Sequence, residues 1–173
     1  MAGELAAQSK IDSRESFNSY CRAACRLWAA HFPEKLGQTT EKFAELVLCI
    51  SRKLPGVIPT SWGGAVVTRH EPPKVEKYLV IRQGGYLALE KHEQKDEHLK
   101  VQEGAGLILS RSSADCPLTV EALEPGRQFH FEPGMEHCII GTEDLLVFER
   151  STDPKGMDQD LIFLYEPTAA PKL

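Results

Sequence analysis

Residues 84–104 read GGYLALEKHEQKDEHLKVQEG, and residues 126–137 read GRQFHFEPGMEH. Counted from Gly84, the first segment is G-x5-E-x-H-x4-E-x6-G, with Glu90, His92, Glu97 and Gly104 at the named places. The second separates Gly126 from Glu132 by five residues and continues with Pro133, Gly134 and, after two more, His137. Residues two apart on a strand share a face, so Glu90 and His92 point one way and Lys91 the other. The acidic turn EQKDE then returns the chain and brings the Glu97 carboxylate back beside that pair, while His137 follows a Pro-Gly turn. Taken alone, KHEQKDEHLK also reads as a charged, solvated hairpin. The second segment tips the balance toward a site.

Outward from this stretch the texture is β. AVVTRH, KYLVIRQ, GYLALEKH, HLKVQ, GLILSR, LTVEAL, FHFE, HCIIG, DLLVFER and DLIFLY are short runs rich in Val, Ile, Leu and Phe, separated by Pro, Gly, Asp and Glu turns. With no helical pattern between them, they point to an all-β sandwich or barrel. Upstream, Asp12 and Glu15 have capping-box spacing, and Phe17, Tyr20, Cys21, Ala24, Leu27 and Trp28 follow a helical period to His31–Pro33. A second helix fits Thr40 to Leu54, where Phe43, Leu46, Val47, Ile50 and Leu54 recur at threes and fours before Pro55 and Gly56. The expected division is a frayed terminus over 1–11, a helical extension over 12–56, a β domain over 57–166 and a frayed tail over 167–173. The helices are expected to pack on the outside of the β domain, with a homodimer through them as the alternative.

Composition narrows the function. The 173 residues suit one domain with a single core, and the formal net charge of -5 opposes a phosphate backbone. Lys and Arg do not cluster with aromatic residues, so nucleic acid is not expected as a partner. Five unpaired-looking cysteines, Cys21, Cys25, Cys49, Cys116 and Cys138, lack C-x2-C spacing and read as reduced thiols. No run has signal-peptide character or the length to span a bilayer, so a cytoplasmic protein without membrane partners is expected.

The two quoted segments resemble the paired motifs of the cupin superfamily, G-x5-H-x-H-x3-4-E-x6-G and G-x5-P-x-G-x2-H-x3-N. The resemblance implies a mainly β fold, a double-stranded β-helix or jelly-roll barrel, here with two N-terminal α-helices. It also implies one divalent metal ion, with Glu90, His92, Glu97 and His137 at the ligand positions. The chain departs from the pattern at Glu90 in place of the first His, at Glu132 in place of Pro and at Gly141 in place of Asn. Glu90 therefore either coordinates or only lines the pocket. Two imidazoles and two carboxylates suit zinc, manganese, iron or nickel. By strand parity His98 faces away from Glu97, His130 shares a face with Glu132, and Cys138 lies opposite His137 as a buried thiol.

Trp62-Gly63, Leu87, Leu89, His92, Glu93, Lys95, Asp96 and Glu97 resemble more narrowly the phosphomannose-isomerase-like cupins, in which the first ligand position is Gln. That resemblance implies aldose-ketose isomerisation of a small sugar or sugar phosphate, with Glu97 and His137 as catalytic candidates shuttling a proton beside the metal. Lys95, Lys100 and Arg111 are the candidate cations for a phosphate, against a bland role in surface solubility. Two alternatives stand beside it: an iron-dependent dioxygenase, since two His and a carboxylate suit that chemistry, and a cupin that binds a small molecule without turnover.

Overall fold

Inward and outward residues alternate along the strands, and that period of two sorts them into two antiparallel sheets sharing one core. The structure is a computed structural model and describes residues 11–31 and 40–166. Its strands are β1 (Val57–Thr60), β2 (Gly63–Glu71), β3 (Lys74–Ile81), β4 (Leu89–His92), β5 (Asp96–Glu103), β6 (Gly106–Arg111), β7 (Thr119–Leu123), β8 (Gln128–Phe131), β9 (Glu136–Gly141), β10 (Leu145–Thr152) and β11 (Leu161–Tyr165). One sheet has the order β1-β2-β3-β10-β5-β8 and the other β11-β4-β9-β6-β7. Leu79, Ile81, Leu99, Val101, Leu145 and Val147 of the first meet Ile108, Leu123 and Ile139 of the second in the shared core. This is the jelly-roll architecture that the cupin resemblance implies.

Two local differences from the expected strands have simple causes. Strand β1 was not among the expected runs because Pro59 cannot donate to a ladder, and β1 accordingly sits at a sheet edge. The run GYLALEKH is a strand only over Leu89–His92, because Gly84 and Gly85 turn against Gly141: Gly84 N–H donates to the Gly141 carbonyl and Gly141 N–H to that of Gly85.

Each outer face is covered by one helix. Along α1 (Arg14–His31), Phe17, Tyr20, Cys21, Ala24 and Trp28 pack with Leu107, Leu109, Val120, Cys138 and Ile140 of the five-stranded sheet. On α2 (Glu41–Ser51), Phe43 and Ile50 pack with Val80 and Leu146 of the six-stranded sheet. The cap of α1 lies one residue beyond the expected one. Ser13 Oγ accepts from Ser16 N–H, and Ser16 Oγ accepts in return from Ser13 N–H, each at 3.1 Å, which completes a capping box with Ser in the place of Glu. The frayed ends expected over 1–11 and 167–173 lie outside the described residues apart from Ile11, which is buried. No helix among the described residues is long and apolar enough to cross a membrane.

Gly104, which closes the first motif, shows why that spacing is demanding. It lies at φ +77°, and a Cβ there would collide with the Asp144 carbonyl. Gly104→Ala is expected to lower the unfolding free energy by about 1–3 kcal/mol. The measurement is urea unfolding, read as a lower midpoint at unchanged slope.

Candidate functional site

One end of the space between the sheets is polar. The inward positions of β3, β5 and β10 are apolar at Leu79, Leu99 and Val147 and become charged two residues further on, at Lys77, Glu97 and Glu149. From the facing sheet β4 adds Glu90 and His92 and β9 adds His137, Glu90 and His137 being directly opposite in register. Together with Lys95 and Asp158 they line a cavity of about 260 Å³, to which Trp62, Ile58 and Phe163 contribute apolar surface.

Glu90, His92, Glu97 and His137 are thus brought to one place, and Lys95 joins them. Lys100 and Arg111 are not. Lys100 alternates with inward Leu99 and Val101, so it lies on the outer face of its sheet. Arg111 lies on the outer face of the five-stranded sheet, where its Nε donates to Glu136 Oε2 at 2.5 Å and its Nη1 to the Ile11 carbonyl. Neither is a cation of this cavity.

Glu97 is the centre of the cluster. Its Oε2 is 3.3 Å from His137 Nε2, 3.8 Å from His92 Nε2 and 3.6 Å from Lys95 Nζ. That oxygen is buried and makes no hydrogen bond among the described residues. His92 is oriented from behind: its Nδ1 lies 3.0 Å from Asp160 Oδ1, so a proton on Nδ1 leaves Nε2 with its lone pair toward Glu97. The other Asp160 oxygen accepts from the backbone N–H groups of Gln94 and Lys95 at 2.7 and 2.9 Å, which folds the acidic turn inward. The second motif is tied to the first where Gly134 N–H donates to the His92 carbonyl at 2.7 Å. His137 stacks on Phe131, ring centroids 4.3 Å apart.

The two lysines are saturated by carboxylates. Lys95 Nζ lies 2.7 Å from both Glu149 and Asp158, and Lys77 Nζ lies 3.2 Å from Glu149 and pairs with Asp158. Burial opposes the charge on Lys95, but Glu149, Glu97 and Asp158 outweigh it and hold the ammonium well above its ordinary range. The same contest holds Glu97 well below the carboxylate range: burial is overcome by the charge of Lys95 and by His137. Asp158 is pulled down to about 2 despite burial, by Lys77 and Lys95. Burial, and then the Lys95 ammonium, lower His92. For His137 burial is outweighed by the adjacent Glu97 carboxylate, whose negative charge raises it. Glu90 behaves differently: it is in no ion pair among the described residues, and burial, reinforced by the charge of Glu97, pushes it up to about 7.

Asp158, Asp160, Glu149 and Lys77 were not foreseen. Lys77 and Glu149 are register partners on β3 and β10, a pairing that sequence alone does not reveal. The two aspartates come from the segment after β10, where Met157 and Asp158 both have left-handed backbone, at φ 54° and 58°. Asp153 holds that shape by accepting from Gly156 and Asp158 N–H, at 2.7 and 2.9 Å.

The fold is similar to three solved structures. CapF from Staphylococcus aureus, a capsular polysaccharide assembling protein, matches with TM-score 0.55 and 18% identity over 64% of this chain and 34% of that one. Oxalate oxidase matches with TM-score 0.50 and 17% identity over 61% of this chain and 57% of that one. A variant oxalate decarboxylase from B. subtilis matches with TM-score 0.54 and 14% identity over 62% of this chain and 30% of that one. The chain thus spans about a third of CapF and of the decarboxylase. All three have the cupin fold, and this chain shares that fold. No family model and no curated protein matches the sequence.

Glu90 generates a pH prediction. Folded, its carboxyl sits near 7, against 4.5 for the unperturbed group, so between those values the folded state holds the extra proton. Stability of chelator-treated protein therefore falls as pH rises through that window and levels off above it. Glu90→Gln is expected to remove this loss, exceeding the wild type by about 1–3 kcal/mol near pH 8 and converging with it near pH 4. Urea unfolding of both proteins across that range measures the difference.

Proposed function

We propose that this protein is a metal-dependent sugar isomerase that interconverts an aldose and a ketose, and that its substrate is an unphosphorylated monosaccharide. Glu97 Oε2 carries the reading: a buried anionic oxygen without a hydrogen bond, faced by two imidazole nitrogens, is a place for a cation. Neighbouring donors on one ion with bonds of about 2.1 Å stand roughly 3.0–3.4 Å apart. The contact at 3.3 Å has that spacing, and the one at 3.8 Å lies a few tenths beyond it. His92, Glu97 and His137 would hold the ion, with Asp160 fixing His92 from behind. Two nitrogens and a carboxylate suit zinc, manganese, iron or nickel.

Such an ion, when bound, supplies Lewis-acid polarisation of the sugar's carbonyl and neighbouring hydroxyl oxygens, which acidifies the C–H between them. Glu90 is the proton carrier in this scheme, in place of Glu97 and His137. It lines the cavity outside the ion-pair network, with a carboxyl near neutrality that a nearby dication draws back toward its ionised form. Ionised, it takes the proton from the hydroxyl-bearing carbon and returns it to the former carbonyl carbon, while the hydroxyl proton passes to the former carbonyl oxygen. Lys95 keeps Glu97 ionised and does not reach out to substrate.

Charge supports a neutral sugar. The cavity is lined by four carboxylates, Glu90, Glu97, Glu149 and Asp158, against two ammonium groups, Lys77 and Lys95. One dication balances that excess of two, and no cation is left over to meet a phosphate. Ile58 and Phe163, 41% and 57% exposed, together with Trp62, offer an apolar rim to the C–H face of a sugar ring.

Elemental analysis of the purified protein is expected to find close to one equivalent of zinc or manganese, with aldose isomerase activity lost to a chelator and restored by the metal. Iron as the resident ion would turn the reading to oxygen chemistry, and ligand binding indifferent to the chelator would make the protein a passive binder. Glu90→Gln is expected to retain metal and lower kcat by about 10²–10⁴-fold with little change in KM. Asp160→Asn is expected to weaken metal binding by about 10–100-fold, read by competition against a coloured chelator.

A further inference from the structure

On the outer face of the six-stranded sheet a second set of donors converges, independent of the cavity. His98 on β5 and His130 on β8 are register partners, so their side chains stand side by side. Their rings stack with centroids 4.1 Å apart and planes 5° from parallel. Asp96 lies two residues before His98 on the same strand and therefore on the same face. His98 Nε2 is 3.1 Å from one Asp96 oxygen, and His130 Nε2 is 2.9 Å from the other.

We propose that Asp96, His98 and His130 form a second, solvent-facing site for a divalent transition-metal ion. One donor atom from each of the three residues lies within 4.8 Å of the others. Each imidazole nitrogen stands from one of the two Asp96 oxygens at the separation of neighbouring ligands around an ion with bonds of about 2.1 Å, and the stacked rings turn about their side-chain bonds so that both lone pairs meet the ion. Binding replaces the His130–Asp96 hydrogen bond and the His98–Asp96 contact by metal–nitrogen and metal–oxygen bonds, each neutral imidazole carrying its proton on Nδ1. Side-chain exposures of 57%, 44% and 34% leave the remaining coordination positions to water.

Two imidazoles with a single carboxylate select zinc, copper, nickel or cobalt over magnesium or calcium, which require more oxygen ligands. The surroundings limit affinity to the micromolar range. Arg150, the register partner of His98 on β10, and Lys100 share an outer groove with His98. Arg150 is partly neutralised by Glu76, at 3.0 Å.

The site has a mechanical consequence. Strand β8 is four residues long, lies at the sheet edge and pairs with β5. It also carries Phe131, which stacks on His137 in the cavity. An ion on Asp96, His98 and His130 clips β8 to β5 behind that stacking contact and raises thermal stability.

Zinc alone is the probe, added to the chelator-stripped full chain. Imidazole ¹H–¹⁵N spectra are expected to show His98 and His130 ring signals shifting together at micromolar zinc. His130→Asn and His98→Asn are each expected to weaken that event by at least about tenfold. Because both side chains are exposed, the zinc-free melting temperature stays at the wild-type value while the zinc-dependent rise shrinks. A chain carrying His92→Gln and His137→Gln separates the two sites and is expected to keep the outer event. Should that chain fail to fold, the wild-type ring signals still assign the ion. Rings of His98 and His130 that stay unmoved at millimolar zinc, or a zinc affinity untouched by His130→Asn, would overturn the proposal.

Discussion

Four carboxylates, two ammonium groups and two imidazoles share the polar end of the space between the sheets, and the site depends on the pairing of Lys77 and Lys95 with Glu97, Glu149 and Asp158. A buried charge without a partner costs several kcal/mol, so such a group survives only where opposite charges reach it from several elements. Lys95 meets Glu97, Glu149 and Asp158, which come from β5, β10 and the segment after it. Its own turn is drawn inward by Asp160, the residue that also orients His92. The register of β3 with β10 places Lys77 beside Glu149, and the left-handed pair Met157–Asp158 delivers the last carboxylate.

The same network explains how chemistry is divided in the cavity. Glu97 is held ionised by Lys95 and His137, which suits an anchor and not a proton carrier. Glu90 is the register partner of His137, but burial and the charge of Glu97 outweigh the pull of His137 and Lys95, and under the proposed function its elevated carboxyl is the group that exchanges a proton near neutrality. The lysines that at first sight recommend an anionic substrate are already neutralised. They stabilise the acids around them instead.

Much of the architecture was legible in the residues. Strand parity set Glu90 with His92 and Cys138 opposite His137, and the cupin resemblance turned the ligand positions inward; the structure puts Cys138 beneath α1, where burial raises its thiol well above the ordinary range. Period-two runs located most of the strands, and the helical stripes of Phe17–Trp28 and Phe43–Ile50 became the faces that cover the two sheets. Other readings changed, for local as well as long-range reasons. Lys100 and Arg111 lie near the motif along the chain, but parity sends Lys100 outward, and a buried pair with Glu136 claims Arg111. The cap of α1 moved by one residue because Ser13 and Ser16 together serve both exposed N–H groups.

What the sequence by itself determined was periodicity and local turn chemistry: which positions face inward, where glycine is required and which residue types cluster around the first motif. These depend on neighbours a few residues apart, and such information is written linearly. Only the tertiary structure decided that Lys95 turns into the core, that Asp160 stands behind His92 across 68 residues and that His98 meets His130 across two strands. Each of those facts is a contact between distant segments, set by strand order and register, and a burial energy that depends on such contacts has no counterpart in the order of residues alone.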